Sequence, residues 1–480
     1  MSLKQKSLSG VKWTTLSAVI NTVVQLTQLS IMAHYISPTN FGLLAIIMIV
    51  IGFSQMFMDM GISNAIIQRQ NISQVQLSSL YWLNIFSGII MTLVILILSP
   101  IISGFYEETD LLNPLLLLSS VFIIVAIGNQ YRVLCQKYLK FDVMAKIEII
   151  STITSFFVAV LLAVNEFGLY ALVWAMLTQS AVSSVLFLLV GIKEFSSPNM
   201  VYDHKSLSGF YSFGLYQMGE KSINYISANA DKILVSKFLG VELTGIYNMA
   251  WQLVIFPLTK INPILNKVAF PVYAKLQSDK KQLGEYYTVT VRSLSLITVP
   301  LLSFLSFYSY EIVYIVFGDG WELTAKIIPT LALVGLMKAV SNPGGALLLA
   351  QGYANVGFWW NLFWCLVVVL SIYLGLIYKP NIYSVPEVLL FLSLTIGWVW
   401  HYLISYFSKI NCCILILHLF KITLICFSIG WLSRTAVEFF SFDMALVKLS
   451  TAGVLCLIMY SVYLSLFERS FIKKIFNREK

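Results

Sequence analysis

The sequence predicts an all-α polytopic membrane protein. Three observations carry that expectation: 58% of the 480 residues are hydrophobic, only 11% are charged, and about fourteen apolar segments are each long enough to cross a bilayer. A chain with a mean hydropathy of +0.83 cannot hide its apolar surface inside a water-soluble core. No polar stretch is long enough to fold as a separate soluble domain.

Crossing roughly 30 Å of hydrocarbon takes about 20 apolar residues, and a helix satisfies each backbone polar group without water. The candidate spans run 12–36, 42–67, 79–103, 112–134, 146–165 and 168–191, then 209–239, 244–271, 291–317, 326–350, 355–378 and 386–408, and finally 412–433 and 445–467. Ahead of the first, Lys4, Lys6 and Lys12 precede an apolar run broken by Asn21, Gln25 and Gln28, with no small-residue cleavage site, so it reads as a span rather than a signal peptide. The segments 209–239 and 244–271 are the most polar, and their assignment leans on the repeat described below. The domain reading is a six-helix bundle over 1–200, a second over 201–410, and two further helices with a basic tail over 411–480.

The net charge of +9 is not gathered into a patch of the kind that binds nucleic acid; the cations collect at alternate ends of the apolar segments. One set of loops and ends holds Lys4, Lys6 and Lys12, then Arg132, Lys137, Lys140 and Lys146, then Lys275, Lys280 and Lys281, and a tail with Arg469, Lys473 and Lys474. The opposite loops, such as Glu107-Glu108-Thr109-Asp110, are nearly bare of them, with Lys326, Lys379, Arg434 and Lys448 as the exceptions. Both termini are therefore expected on the cytoplasmic side.

The chain repeats itself. A shift of 203 residues lays Ile36–Gly42 on Leu239–Gly245, Asn21 on Asn224, Gln28 on Asp231 and Asp59 on Asn262. A shift of 215 lays Pro114 on Pro329 and Leu134-Cys135-Gln136-Lys137-Tyr138 on Leu349-Ala350-Gln351-Gly352-Tyr353. Six helices per copy is an even number, so both copies enter the membrane in the same sense, a parallel duplication of the kind found in transporters.

Polar side chains inside apolar helices mark where a substrate or ion could pass, because each is costly in hydrocarbon. In the seventh span Glu220, Asn224, Ser227 and Asp231 share a face, with Lys221, Tyr225 and Lys232 beside it. Asn21, Gln25 and Gln28 share a face of the first, Gln55 and Asp59 of the second, and Lys260, Asn262 and Asn266 follow in the eighth. These faces imply a wet groove between the halves. There Lys221, Lys232 and Lys260 would hold an anionic head group, Asn21, Gln25, Gln28 and Asn224 would line the path, and Tyr247 and Trp251 would offer stacking faces for sugar rings. Asp59 and Asp231 are the carboxylates expected to couple transport to a proton or sodium gradient. Pro257, Pro263 and Pro271 are expected to break the eighth helix. The six cysteines show no metal-ligand spacing, and no cofactor is expected. Paired catalytic carboxylates, a nucleophile elbow and a phosphate loop do not appear in the sequence, which reads as that of a non-enzyme.

Three stretches resemble the polysaccharide-transport, Wzx-type flippases of the multidrug/oligosaccharidyl-lipid/polysaccharide exporter superfamily: Asp59-Met60-Gly61-Ile62-Ser63-Asn64-Ala65-Ile66-Ile67-Gln68-Arg69, Asn229-Ala230-Asp231-Lys232-Ile233-Leu234-Val235-Ser236-Lys237-Phe238-Leu239-Gly240, and Phe317-Gly318-Asp319-Gly320-Trp321. The resemblance is closest to exporters of the colanic-acid or teichuronic-acid type. It implies the flippase fold of that superfamily, alternating access by two six-helix bundles, and a place in the bacterial inner membrane. The implied cargo is an undecaprenyl-diphosphate-linked oligosaccharide repeat unit bound for O-antigen, capsule or exopolysaccharide. Membrane lipids, a polysaccharide polymerase and a chain-length regulator are the implied partners. Relatives that flip the peptidoglycan precursor carry an arginine in the first helix, where this chain has only uncharged polar residues. Two other readings share some of these features. A multidrug or cation antiporter of the same superfamily usually stops at twelve helices, and a membrane polysaccharide polymerase usually needs a sizeable outside loop.

Overall fold

The structure is a computed structural model that describes residues 3–59, 62–69, 72–195, 197–203, 207, 211–408, 412–440 and 444–471. Among the described residues every regular element is helical. Twelve helical stretches among the described residues are long and apolar enough to cross a membrane. The bent pair Val241–Pro263 and Leu265–Lys275 makes a thirteenth when it is counted as one span. Tyr211–Leu239 is a helix of 29 residues but falls outside this apolar set, because Lys221, Asp231, Lys232 and Lys237 interrupt it. Exposed apolar side chains cover these helices, among them Ile97 at 71%, Leu417 at 69% and Leu457 at 68%. Surfaces of this kind are stable only where lipid replaces water.

The helices differ from the expected segments mainly at their ends and breaks. The span expected at 112–134 is two pieces, α5 (Leu112–Ser119) and α6 (Val121–Lys137), joined at Ser120. That expected at 291–317 is α11 (Lys280–Phe307) followed by α12 (Ser309–Phe317), and that at 386–408 is α15 (Ser384–Thr395) followed by α16 (Gly397–Ser408). Hydropathy registers length and polarity but not these breaks, where local turns satisfy the freed backbone groups: Tyr308 N–H donates to Phe304 O at 3.0 Å before α12 begins.

The described chain falls into two compact units, Met1–Gly245 and Ile246–Lys480. In the first, α1 (Leu3–Tyr35) packs on α7 (Phe141–Val164), α7 on α8 (Leu169–Phe195), α8 on α6, and α6 on α4 (Gln74–Tyr106). Side by side at these crossings sit small residues: a Cβ on Gly128 of α6 would lie 2.6 Å from Ser184 Cα of α8, and one on Gly88 of α4 would lie 2.8 Å from Phe122 O of α6. The helix α2 (Pro38–Asp59) packs on α4, α8 and α9 (Tyr211–Leu239). Helix α4 starts with a capping box: Gln76 N–H donates to Ser73 Oγ at 3.2 Å, and Ser73 N–H to Gln76 Oε1 at 3.0 Å. At its other end Lys237 Nζ reaches Glu107 Oε1 at 2.9 Å, and this ammonium holds the Glu107 carboxyl below the usual carboxylate range.

The repeat found in the sequence reappears as a reciprocal contact. A Cβ on Gly42 would lie 1.9 Å from Val241 O, and a Cβ on Gly245 would lie 1.9 Å from Pro38 O. Pro38 and Val241, like Gly42 and Gly245, are equivalents under the shift of 203. Each copy thus presses its glycine onto the carbonyl of the other copy's helix start.

In the second unit α13 (Glu322–Ala350) is the central helix, packed on α11, α12, α15 and α16. Helices α17 (Cys412–Phe439) and α18 (Ala445–Tyr463) join the same unit, α17 against α11 and α18 against α12. Two ion pairs fasten them. Arg434 of α17 meets Glu311 of α12 at 2.5 Å, and Glu468, in a π-helical turn after α18, meets Arg292 of α11 at 2.5 Å. Tyr308 and Ser433 share a hydrogen bond at 2.8 Å, and Tyr460 OH donates to Leu296 O at 2.5 Å. Helix α10 (Val241–Lys275) carries Pro257, Pro263 and Pro271 and bends by 41° beside Pro263, where a proline removes a backbone donor.

Candidate functional site

Within the first unit, α1, α6, α7 and α8 enclose a polar cleft of about 350 Å³. Asn21 and Gln25 line it from α1, Asn129 and Arg132 from α6, Glu148, Ser151 and Thr152 from α7, and Gln179 with three serines from α8. Phe187 and Val125 supply its apolar wall. The close approach of Gly128 to Ser184 holds α6 and α8 together at its edge.

A hydrogen-bond relay sets part of the lining. Asn21 Nδ2 donates to Ser17 Oγ at 3.1 Å, and Ser17 Oγ donates to Glu148 Oε2 at 3.2 Å. Gln179 Nε2 donates to Thr152 Oγ1 at 3.4 Å. Asn21 Oδ1 is buried without a partner, so the relay keeps an unused acceptor. Arg132 and Glu148 are not paired with each other, and neither has an ion-pair partner among the described residues. A guanidinium, a carboxylate, amides and hydroxyls on one wall system are a donor and acceptor set suited to a hydroxyl-rich or phosphorylated ligand.

Of the α1 face read from the sequence, Asn21 and Gln25 line this cleft and Gln28 does not. On α9 Asn224 is exposed, Lys232 is half-buried and Asp231 is buried, with Lys232 N–H donating to Asp231 Oδ1 at 2.9 Å. The side chains of Asp59, Glu220 and Lys221 lie outside the described residues. In the second unit Lys260 is exposed, its Nζ 5.5 Å from the centre of the Phe256 ring. Tyr247 and Trp251 are both buried, ring edge to ring face at 6.4 Å, and Lys338 Nζ lies 4.3 Å from the centre of the Trp251 ring. As placed, these two rings are packed rather than offered as open stacking faces.

Sequence reasoning missed the cleft's two charges. By sequence Arg132 reads only as an orienting cation, and the one signal for Glu148 is a carboxylate some two turns inside an apolar helix. Lys338, in the middle of α13, carried the same unused signal.

A duplicated, all-helical, multi-pass membrane protein with a charged cleft inside one bundle defines a transporter class. The chain belongs to the polysaccharide biosynthesis protein family, whose model matches residues 31–326. It is 33% identical over 461 residues to the teichuronic acid biosynthesis protein TuaB of Bacillus subtilis (strain 168), covering 95% of each chain. With the lipopolysaccharide biosynthesis protein WzxC of Escherichia coli (strain K12) it shares 32% identity over 377 residues, 78% of this chain and 76% of the other. Among solved structures, the lipid II flippase MurJ in an inward closed conformation superposes with a TM-score of 0.75 at 15% identity, over 95% of this chain and 99% of that one. At that identity the likeness establishes the fold, which is the one expected from the sequence.

Proposed function

We propose that this protein carries an undecaprenyl-diphosphate-linked oligosaccharide from the cytoplasmic to the outer leaflet of the bacterial inner membrane, by alternating access and without chemical change to its cargo. The observation that carries the reading is the cleft: a guanidinium, a carboxylate and a set of amides and hydroxyls inside a membrane bundle, in a chain whose relatives are named for polysaccharide biosynthesis. Sugar hydroxyls and amides would exchange with the Asn21, Gln25, Asn129 and Gln179 side chains, while Arg132 would meet an acidic sugar or phosphate. Lys232 and Lys260 are the further cations we assign to the diphosphate, and Asp231 to ion coupling. Both termini then face the cytoplasm, and a polymerase with its chain-length regulator receives the delivered unit.

The test is the lipid fraction of a strain lacking the protein, read by mass spectrometry. The reading predicts that a polyprenyl-diphosphate oligosaccharide accumulates on the cytoplasmic side and clears on complementation. An unchanged lipid fraction with altered tolerance to small cationic compounds would favour an antiporter instead.

A further inference from the structure

A second pocket, of about 260 Å³, lies in the other unit between α12, α13 and α18. The turn Gly318-Asp319-Gly320-Trp321, part of the third stretch singled out in the sequence, forms one wall through Gly318 and Trp321. Gly318 and Gly320 adopt φ of 81° and 88°, a region glycine enters without strain, and Gly320 N–H donates to Glu322 Oε1 at 3.2 Å. The turn therefore fixes Glu322 at the mouth and buries Trp321 behind it.

Glu311 lines the pocket with only 8% of its surface exposed. Its Oε1 is satisfied by Arg434 at 2.5 Å, but its Oε2 is buried with no hydrogen-bond partner. Leaving a buried carboxylate oxygen unpartnered is costly, and a ligand that donates to it recovers that cost. Across the same pocket Lys448 is half-buried and has no ion-pair partner among the described residues. The site thus lacks a donor at one point and an anion at another.

Its depth says where such a ligand comes from. The pocket sits where two spans begin, Glu322–Ala350 and Ala445–Phe471, which is the headgroup level of a bilayer. Tyr310 and Tyr314 stand exposed on its rim, the place of an interfacial aromatic belt. We propose that this pocket binds the headgroup of a phospholipid carrying a primary amine, its ammonium donating to Glu311 Oε2 beside Glu322 and its phosphate meeting Lys448. A choline headgroup has no donor for Glu311, and a glycerol headgroup has hydroxyls but no positive charge to set between the two carboxylates.

The experiment is native mass spectrometry of the purified full chain after equilibration with phosphatidylethanolamine, phosphatidylglycerol and phosphatidylcholine at equal mole fraction. Retained phosphatidylethanolamine should exceed phosphatidylcholine by about tenfold or more, the worth of a charge-assisted hydrogen bond. Soluble phosphoethanolamine should displace it. Because Glu311→Gln breaks the pair that ties Arg434 to α12 and leaves it only Glu438, the exposed Glu322→Gln and the half-buried Lys448→Ala carry the variant test. Glu322→Gln should lower the preference, and Lys448→Ala, which removes the contact to the phosphate that all three lipids share, should lower the retention of all three, while thermal unfolding stays unchanged in both. Equal retention of the three lipids, retention of phosphatidylglycerol as strong as that of phosphatidylethanolamine, a preference untouched in Glu322→Gln, or overall retention untouched in Lys448→Ala would overturn the assignment. Displacement by glucosamine but not by phosphoethanolamine would also overturn it and mark a sugar site.

Discussion

Arg132 and Glu148 face the same cleft unpaired, and what they bind decides what the cleft is for. Each could offer a ligand one or two charge-assisted hydrogen bonds, so Arg132→Gln and Glu148→Gln should each lower glycan export about tenfold or more. Expression and thermal unfolding should stay near wild type, because neither change removes an ion pair. Export is read by surface polysaccharide in a complemented strain. At Gly42 and Gly245 the question is steric. An added methyl would collide with a backbone carbonyl, which has no rotamer to yield, so Gly42→Ala and Gly245→Ala should each cost about 1–3 kcal/mol, read as a lower unfolding temperature. Gly104→Ala is the control, since a Cβ there meets nothing within 4 Å and alanine is the better helix former. The glycine pair was legible as a coincidence of the repeat, though only coordinates show the two glycines pressing on each other's counterparts. Asn21 and Gln25 were legible from their i,i+4 spacing. Tyr247 and Trp251 have that spacing too, yet they are buried, because which face of a helix meets its neighbours is settled by packing and not by its own sequence.

At the scale of elements, α17 and α18 stand outside the duplication in sequence but are built into the second unit. The Arg292–Glu468 pair matters most for this, since the Glu468 side chain is only 2% exposed and also accepts from Tyr463 OH at 3.0 Å. Removing one partner of a buried pair strands the other, so Glu468→Gln should destabilise the unit by about 2–4 kcal/mol. Combining it with Arg292→Met should recover much of that loss, which a double-mutant cycle of thermal unfolding would measure. No hydropathy pattern announces such a pair, because its members lie 176 positions apart. Helix α10 is the opposite case: its three prolines were plain in the sequence, and its bend of 41° follows from them. Pro263→Ala should straighten it and slow transport, the straightening being readable as a longer spin-label distance between its two ends.

For the whole molecule, composition and the length of apolar runs sufficed for the membrane class and the all-helical fold, since lipid leaves a chain few other ways to satisfy its backbone. Duplication pointed to a transporter. The cleft was harder to foresee, because it assembles from four helices of one unit whose polar residues are scattered from Asn21 to Ser184 and have no common spacing. Its role is tested most directly by reconstituting the purified chain into vesicles with a fluorescent polyprenyl-diphosphate oligosaccharide and following the fraction that a membrane-impermeant reagent can reach. The account predicts protein-dependent movement between leaflets that is largely lost in the folded double variant Arg132→Gln/Glu148→Gln. Movement at the wild-type rate in that variant would contradict the cleft's role, and no movement with the unaltered protein would contradict the function itself.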